Sequence, residues 1–529
     1  MKLQLAMSAL ALGAPPAQVL PRPPMGFNNW ARFQTDIRES IFLEAAQTMR
    51  ASGLLTAGYN RINLDDAWSL PQRALNGSMA WDLAKFPHGL TWLAGELRRM
   101  GFEPGIYTDA GHTSCGAYPG ALDNEERDLG DFRAWGYDYV KVDGCNLPDT
   151  SEATYRQVYG RWQRLVAAAR RPVIFSNSAP AYFSGTDNLT DWYTVMGWAS
   201  RGGHLARHSA DIQVYPEGDV WASMMYNYGM HVRLARFQRP GFFNDPDFLN
   251  VDHPGYSLEE RKTHFALWCA FSAPLIISAD MKRLITSEIA YLTNRNLLAV
   301  NQDRLVQQAT LVSRDETWDV LSKSLDNGDR LLVVFNKGTT PSSLHITWGR
   351  MGYDSRALSQ LSAIQIKNLW TGQVSQPEFW DGIQVSEVPG HGTAVLRIST
   401  GRGSVTPTGI IFNTASLRCL ADSEPGQVRL VACSGTDAQT WRVDANGRVS
   451  SLMRPGKCLQ SGPRGRVVST VEACRASGWW YGVSGNLMER ETGLCLTEDA
   501  NKAAVVAPCG NLVNEQVFGL PVGVMVEGI

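Results

Sequence analysis

The chain has 529 residues, 44% of them hydrophobic and 19% charged, with 49 basic against 51 acidic side chains for a net charge of −2. That length exceeds what one compact core supports, so two to four domains are expected, and the composition is that of an ordinary folded protein. Near-neutrality without any long Lys/Arg run excludes a nucleic-acid footprint and makes polyanions poor partners.

Residues 1–20 place Lys2 ahead of a short apolar stretch ending in small residues, which reads as a secretory signal peptide and leader and predicts an extracellular protein. No other stretch approaches the roughly 20 apolar residues of a membrane span. Two N-glycosylation sequons, at Asn76 and Asn188, fit a secreted fate.

Across residues 21–303, short strand-like runs alternate with amphipathic helical stretches such as IRESIFLEAAQTMRASG. The runs are MGFNNW, YNRINLDDAW, FEPGIYTDAG, YDYVKVDGC, PVIFSNSAP, DWYTVMGWA, GFFNDPDFL and APLIISAD. Eight strand–helix units predict a (β/α)8 barrel, an α/β fold whose active site forms at the strand C-termini. An open doubly wound sheet would ask for a Gly-rich phosphate turn after the first strand, and none is there. Polar residues crowd the strand ends: Asn28, Asn29 and Trp30, then Asp65 and Asp66, Asp109, Asp143, Asn177 and Ser178, Asp245 and Asp247, and Asp280. A lone loop Asp is usually a helix cap or turn former; so many together predict a functional face. Cys115 and Cys145 form a candidate disulfide pair here, and Cys269, in an apolar run, reads as a buried free thiol.

Residues 304–400 switch to alternating strands, WDVLSKSL, DRLLVVFNK, SLHITW, AIQIKNLW, IQVSEV and GTAVLRI, which predict an antiparallel β-sandwich domain. A Gly/Ser/Thr-containing linker spans 401–408. In 409–529, Cys419-Leu420, Cys458-Leu459 and Cys495-Leu496 recur at intervals of 39 and 37 residues. Each is followed by a second cysteine (Cys433, Cys474, Cys509) and by a Gln-x-Trp-like triplet: Gln439-Thr440-Trp441, a degraded Gly478-Trp479-Trp480, and Gln516-Val517-Phe518. The spacing argues for disulfides and an oxidising compartment. Three such repeats close around a pseudo-threefold axis, and the segment resembles the ricin-type β-trefoil lectin module. Sugar-binding repeats of that type carry an Asp shortly after Cys-Leu. Here the Asp is displaced or missing, so weak glycan binding at most is expected of it.

The chemistry starts at Tyr139-Val140-Lys141-Val142-Asp143. Residues two apart in a strand share a face, so Lys141 and Asp143 both point into the barrel mouth, where an ammonium favours the ionised carboxylate. A nucleophile and a buried structural ion pair are equally compatible with that spacing. A retaining glycosidase needs a second, protonated carboxyl group about 5–5.5 Å away, for which Asp211, Asp245 and Asp247 are all candidates. A Schiff-base lyase built on Lys141, or a lectin whose barrel has lost catalysis, are the readings from other classes.

The motifs PPMGFNNW, YNRINLDDAW, GIYTDAG, YVKVDGC, ARHSADI, NDPDF, LWCAFSAPLIIS and AVNQD, in that order, resemble the α-galactosidases and α-N-acetylgalactosaminidases of glycoside hydrolase family 27. The resemblance implies a barrel followed by an antiparallel β-domain, a secreted exo-glycosidase acting by double displacement on α-galactosides or α-N-acetylgalactosaminides, and no metal or organic cofactor. It puts the nucleophile on Asp143, the acid/base on Asp211, and sugar contacts on Trp30, Asp65, Asp66, Tyr107, Lys141, Arg207 and Asp247. It also implies that the Cys115–Cys145 disulfide is kept, although Ala67 stands where a cysteine is usual. Ser178, Ala181 and Tyr182 follow the fifth strand. The Ser and Ala match members that prefer N-acetylgalactosamine, since small residues leave room for an acetamido group that Ser can hydrogen-bond; plain α-galactosidase activity is the alternative. His204 and His208 lie four apart, but no third ligand accompanies them.

Overall fold

A computed structural model describes residues 19–185, 189–353, 364–400, 405–424, 427–462, 468–471 and 478–527. Asn188, Cys474, residues 1–18 of the expected 1–20 leader and residues 401–404 of the expected linker lie outside the described residues.

Eight parallel strands form the first sheet: β1 (Met25–Asn28), β2 (Arg61–Asn63), β3 (Glu103–Asp109), β4 (Tyr139–Asp143), β5 (Ile174–Asn177), β6 (Leu205–Arg207), β7 (Phe243–Asp245) and β8 (Leu275–Ile277). Their order is β7-β6-β5-β4-β3-β2-β1-β8, and β1 pairs β2 on one side and β8 on the other. Leu249, just past β7, pairs with Ile277 of β8 and closes the ring, its N–H donating to Ile276 O at 2.8 Å. The helices outside bury one stripe each. In Glu152–Ala167, Tyr155, Val158, Tyr159, Trp162 and Val166 face the barrel at spacings of three and four, and the Ser151 side chain caps the start by accepting from Thr154 N. Ser257 and Glu260 form a reciprocal capping box at the start of Leu258–Ala270.

One strand assignment is corrected. DWYTVMGWA lies within a helix, Leu189–Gly202, whose buried residues include Leu189, Trp192, Tyr193, Met196 and Ala199 at helical spacing. Its aromatic and β-branched content imitates a strand. The sixth strand is the short Leu-Ala-Arg run that follows it.

The second unit pairs β9 (Thr310–Arg314), β10 (Trp318–Ser324), β11 (Arg330–Asn336), β12 (Ser342–Thr347), β13 (Gln365–Asn368), β14 (Val374–Ser375), β15 (Gly382–Val388) and β16 (Thr393–Ser399). They make a six-stranded sheet, β14-β13-β16-β11-β10-β9, facing the β12-β15 ribbon, all antiparallel. Sequence patterning missed β9 and β14. The apolar core between the sheets includes Val320, Val334, Trp348 and Ile398.

The third unit is a β-trefoil of three small antiparallel sheets. Its core holds Leu420, Leu459 and Leu496, one from each repeat. Trp441 Nε1 donates to Leu420 O at 2.8 Å, and Trp479 Nε1 to Leu459 O at 2.9 Å. Trp479 is thus the counterpart of Trp441, so the degraded triplet ends one residue earlier than its sequence implies. Disulfides join Cys419 to Cys433 and Cys495 to Cys509, and Cys458 is also disulfide-bonded. The trefoil docks firmly on the barrel: Tyr193 Oη donates to Thr414 Oγ1 at 2.7 Å, and Arg236 Nε to Val483 O at 2.9 Å.

Candidate active site

The strand C-termini converge on a cavity of about 240 Å³ lined by Trp30, Asp65, Tyr107, Cys115, Lys141, Asp143, Cys145, Ser178, Ala181, Tyr182, Arg207, Ser209, Ala210 and Asp211. A larger cavity, about 340 Å³, lies where barrel and trefoil meet and has no carboxylate on its wall. Chemistry, rather than size, picks out the barrel mouth.

Lys141 and Asp143 leave β4 on the same side, as a period of two requires. Lys141 Nζ donates to Asp65 Oδ2 at 2.9 Å and sits 3.9 Å from Asp143 Oδ2. Burial lowers the lysine pKa, but Asp65, Asp143 and Asp211 outweigh it and hold the ammonium charged. Asp143 Oδ1 accepts from Tyr182 Oη at 2.7 Å and from Gly144 N at 3.1 Å. Position 144 has to be glycine because an added Cβ would come within 2.8 Å of the Tyr155 and Tyr182 rings. Tyr182 also lies 3.1 Å from Cys145 Sγ, in the disulfide that joins Cys145 to Cys115.

Asp211 sits on the loop after β6. Arg207 Nη2 donates to its Oδ1 at 2.6 Å and Trp30 Nε1 to its Oδ2 at 3.2 Å. Burial of the carboxyl raises its pKa, but the Arg207 and Lys141 charges and these hydrogen bonds outweigh that, so it titrates below the ordinary carboxylate range. This differs from the expectation of a carboxyl that already holds a proton. The open mouth of the cavity leaves 54% of the side-chain surface in contact with water, so the desolvation that raises its pKa is partial. Arg207 Nη1 pairs with Asp247 Oδ1 at 2.9 Å, and burial pushes Asp247 up.

Two expected sugar contacts, Asp66 and Asp247, are not among the lining residues. Asp66 is buried and accepts from Ala67 N and Gly116 N, both at 2.7 Å, so it holds the loop that carries Cys115. Asp247 accepts from Ile212 N at 2.7 Å and keeps a left-handed backbone, φ 86°, while bracing Arg207. Asp245 is buried on β7, where its Oδ1 accepts from Asp247 N. Asn28 is a contributor that sequence reasoning left without a role: its Nδ2 donates to Asp65 Oδ2 at 2.7 Å and its Oδ1 accepts from Trp30 N at 2.8 Å. Its place at the end of β1, just before Trp30, was the available signal. His204 Nδ1 accepts from Phe175 N, whereas His208 Nε2 meets His231 Nδ1 at 2.9 Å, so the two histidines serve separate packing roles. Asp109, Cys115 and Cys145 cluster within reach of one another, but both sulfurs are spent in the disulfide and are not thiolate ligands.

A closed parallel barrel whose mouth gathers two carboxylates, a lysine and an arginine on one cavity defines the class of protein. Residues 22–303 match the family model described as alpha galactosidase A, residues 315–398 the alpha galactosidase C-terminal beta sandwich domain, and residues 407–518 the ricin-type beta-trefoil lectin domain. The alpha-galactosidase A of Aspergillus niger is 48% identical over 98% of this chain and 96% of its own length. Among solved structures, alpha-galactosidase I from Mortierella vinacea is 26% identical with a TM-score of 0.64, covering 71% of this chain and 96% of its own. The Saccharomyces cerevisiae alpha-galactosidase solved with raffinose is 25% identical with a TM-score of 0.62, covering 72% of this chain and 97% of its own. The chain belongs to the alpha galactosidase A family, with a trefoil appended.

Proposed function

We propose that the protein is an extracellular retaining exo-glycosidase that removes terminal α-D-galactose-type sugars, with Asp143 as nucleophile and Asp211 as acid/base. The observation that carries this reading is the placement of the two carboxylates on one small cavity, with Lys141 beside the first and Arg207 beside the second. The names of the relatives supply the sugar. The disulfides favour an oxidising compartment. Among the described residues, no helix is long and apolar enough to cross a membrane.

Tyr182 and Gly144 hold Asp143 Oδ1, which leaves Oδ2 to attack the anomeric carbon. As the C1–Oδ2 bond forms, the C1–O bond to the aglycone breaks and the Asp211 proton moves to the departing oxygen. Asp211, now a carboxylate, takes a proton from water while the water oxygen attacks C1. The ester electrons return to Asp143, and sugar leaves with its α configuration kept. Trp30 packs on the apolar sugar face, and Asp65, Lys141 and Arg207 bond ring hydroxyls.

A finer reading concerns the substituent at C2. Ser178 is buried on the cavity wall, and its Oγ has no hydrogen-bond partner. Beside the small Ala181, that orphaned hydroxyl favours acceptance of an acetamido group as well as a hydroxyl.

Azide rescue tests the assignment. Asp143→Ala should lose turnover, with added azide yielding the β-glycosyl azide. Asp211→Ala should spare substrates with activated leaving groups and yield the α-glycosyl azide. Full activity in Asp143→Ala, or the opposite azide anomers, overturns the mechanism.

A further inference from the structure

The segment Trp68–Phe86, which leaves the barrel mouth directly after Asp65 and Asp66, ends in a turn that the catalytic site does not use. Ala74 N donates to Ser78 O at 2.9 Å, and Gly77 N to Ala74 O at 2.8 Å, so Asn76 stands at the tip and is exposed. Its Oδ1 accepts from Ser78 N at 3.1 Å. That contact fixes the amide orientation and leaves Nδ2 facing outward. Gly77 has φ +86°, which the tight turn requires.

The surface beside this tip is unusually apolar. Leu75 is fully exposed, Leu83 is 65% exposed and Leu70 40%. Leu70 and Leu83, together with Met79 and Trp81, edge an open groove of about 530 Å³ whose wall includes Asn76 and Ser78. Contiguous apolar surface on a protein that works in water is normally covered by something.

We propose that Asn76 carries an N-linked glycan whose first N-acetylglucosamine residues lie along this groove, covering Leu70 and Leu83. Asn76-Gly77-Ser78 is the acceptor sequence. The apolar faces of pyranose rings pack on leucine and tryptophan, and their hydroxyls face water. In the transfer, Asn76 Nδ2 forms a bond to C1 of N-acetylglucosamine on a polyisoprenyl-pyrophosphate oligosaccharide. The C1–O bond to pyrophosphate breaks, and the amide gives up one proton. The proposal rests on the secretory route within the functional reading above.

The test is production of the full chain, with its own leader, in a fungal secretory host, followed by mass analysis of intact glycopeptides from the medium. Reading the glycan mass itself avoids confusion with deamidation of the Asn-Gly pair. The peptide spanning Asn76 should carry a glycan in the native chain and in Ser78→Thr, and none in Asn76→Gln or Ser78→Ala. Binding of an apolar dye to the folded enzyme should rise at least twofold in the two unglycosylated variants. It should stay low after endoglycosidase trimming to a single sugar. Secreted, active protein with bare Asn76 overturns the site. Dye binding that does not differ between native and variant overturns the packing. Retention of the chain inside the cell instead overturns the secretory reading.

Discussion

The Tyr182 hydroxyl donates to Asp143 Oδ1 at 2.7 Å while its ring packs 5.6 Å from Tyr155, so the proposed nucleophile is held by a side chain that is itself held. The bond orients the carboxylate and, once Oδ2 is esterified, stays on the carbonyl oxygen to stabilise the leaving carboxylate. A hydrogen bond to a charged group contributes about 1.5–3 kcal/mol, which converts to a rate factor of about 10 to 100. Tyr182→Phe should therefore lower kcat/KM for a nitrophenyl α-galactoside by that factor with an unchanged circular dichroism spectrum. A change of less than threefold would remove Tyr182 from the mechanism.

The low pKa of Asp211 sets the pH dependence. The first step needs Asp211 protonated, and in the free enzyme the net pull of Arg207, Lys141 and Trp30 against burial favours the ionised form. The reactive fraction then falls as pH rises through a value below the ordinary carboxylate range, so kcat/KM should decline on its basic side in acid. A bound sugar displaces water from the 54%-exposed carboxyl and raises its pKa, so the corresponding limb of kcat should lie at higher pH. Initial-rate profiles at low and saturating substrate check this. A kcat/KM that stays flat to pH 8 contradicts it.

The placement of Asp143 beside Lys141 was legible, because two residues two apart on one strand must share a face, but its role as nucleophile came from the family motif. Asp211 was not legible from spacing, since its role depends on Trp30, 181 residues away, and on a loop that no strand period describes. Only the family motif singled it out. The same limit explains the misplaced sixth strand. β6 has three residues, too few to display a period, and the apolar helix before it presents aromatics on much of its surface. Asp66 and Asp247 are named as sugar contacts by the family motifs alone. In the structure each also accepts from a backbone N–H of a neighbouring loop, a contact that sequence patterning cannot reveal.

The pocket wall at Ser178 and Ala181 predicts substrate choice. Ser178→Glu combined with Ala181→Leu fills the space beside the orphaned hydroxyl. Steric rejection of this kind is worth about 10- to 200-fold. The double variant should lose roughly 100-fold on nitrophenyl α-N-acetylgalactosaminide, as that factor implies, and keep most of its rate on the α-galactoside. Side-by-side kcat/KM values on both substrates decide it, and a native enzyme with no acetamido turnover would remove the C2 reading outright.

In the trefoil, the polar residue three positions after the Cys of each Cys-Leu pair is already engaged by the chain itself. Asp422, buried, is ion-paired with Arg454, whose Nε donates to Oδ2 at 2.8 Å. Glu498 accepts from Ser416 Oγ at 2.5 Å, and Ser461, the counterpart in the middle repeat, bonds Glu489 at 2.6 Å. These groups serve the repeat's own packing, so free galactose should bind the trefoil weakly, with calorimetric Kd values no tighter than millimolar. Arg454→Ala would leave Asp422 buried without its counter-charge, which costs about 3–5 kcal/mol. Thermal unfolding of that variant should show the trefoil melting ahead of the barrel, while its initial rate on a nitrophenyl α-galactoside at low temperature stays unchanged. If Arg454→Ala instead gained galactose affinity at unchanged stability, Asp422 would be a sugar ligand masked by the arginine, and the structural role assigned to this pair would fail.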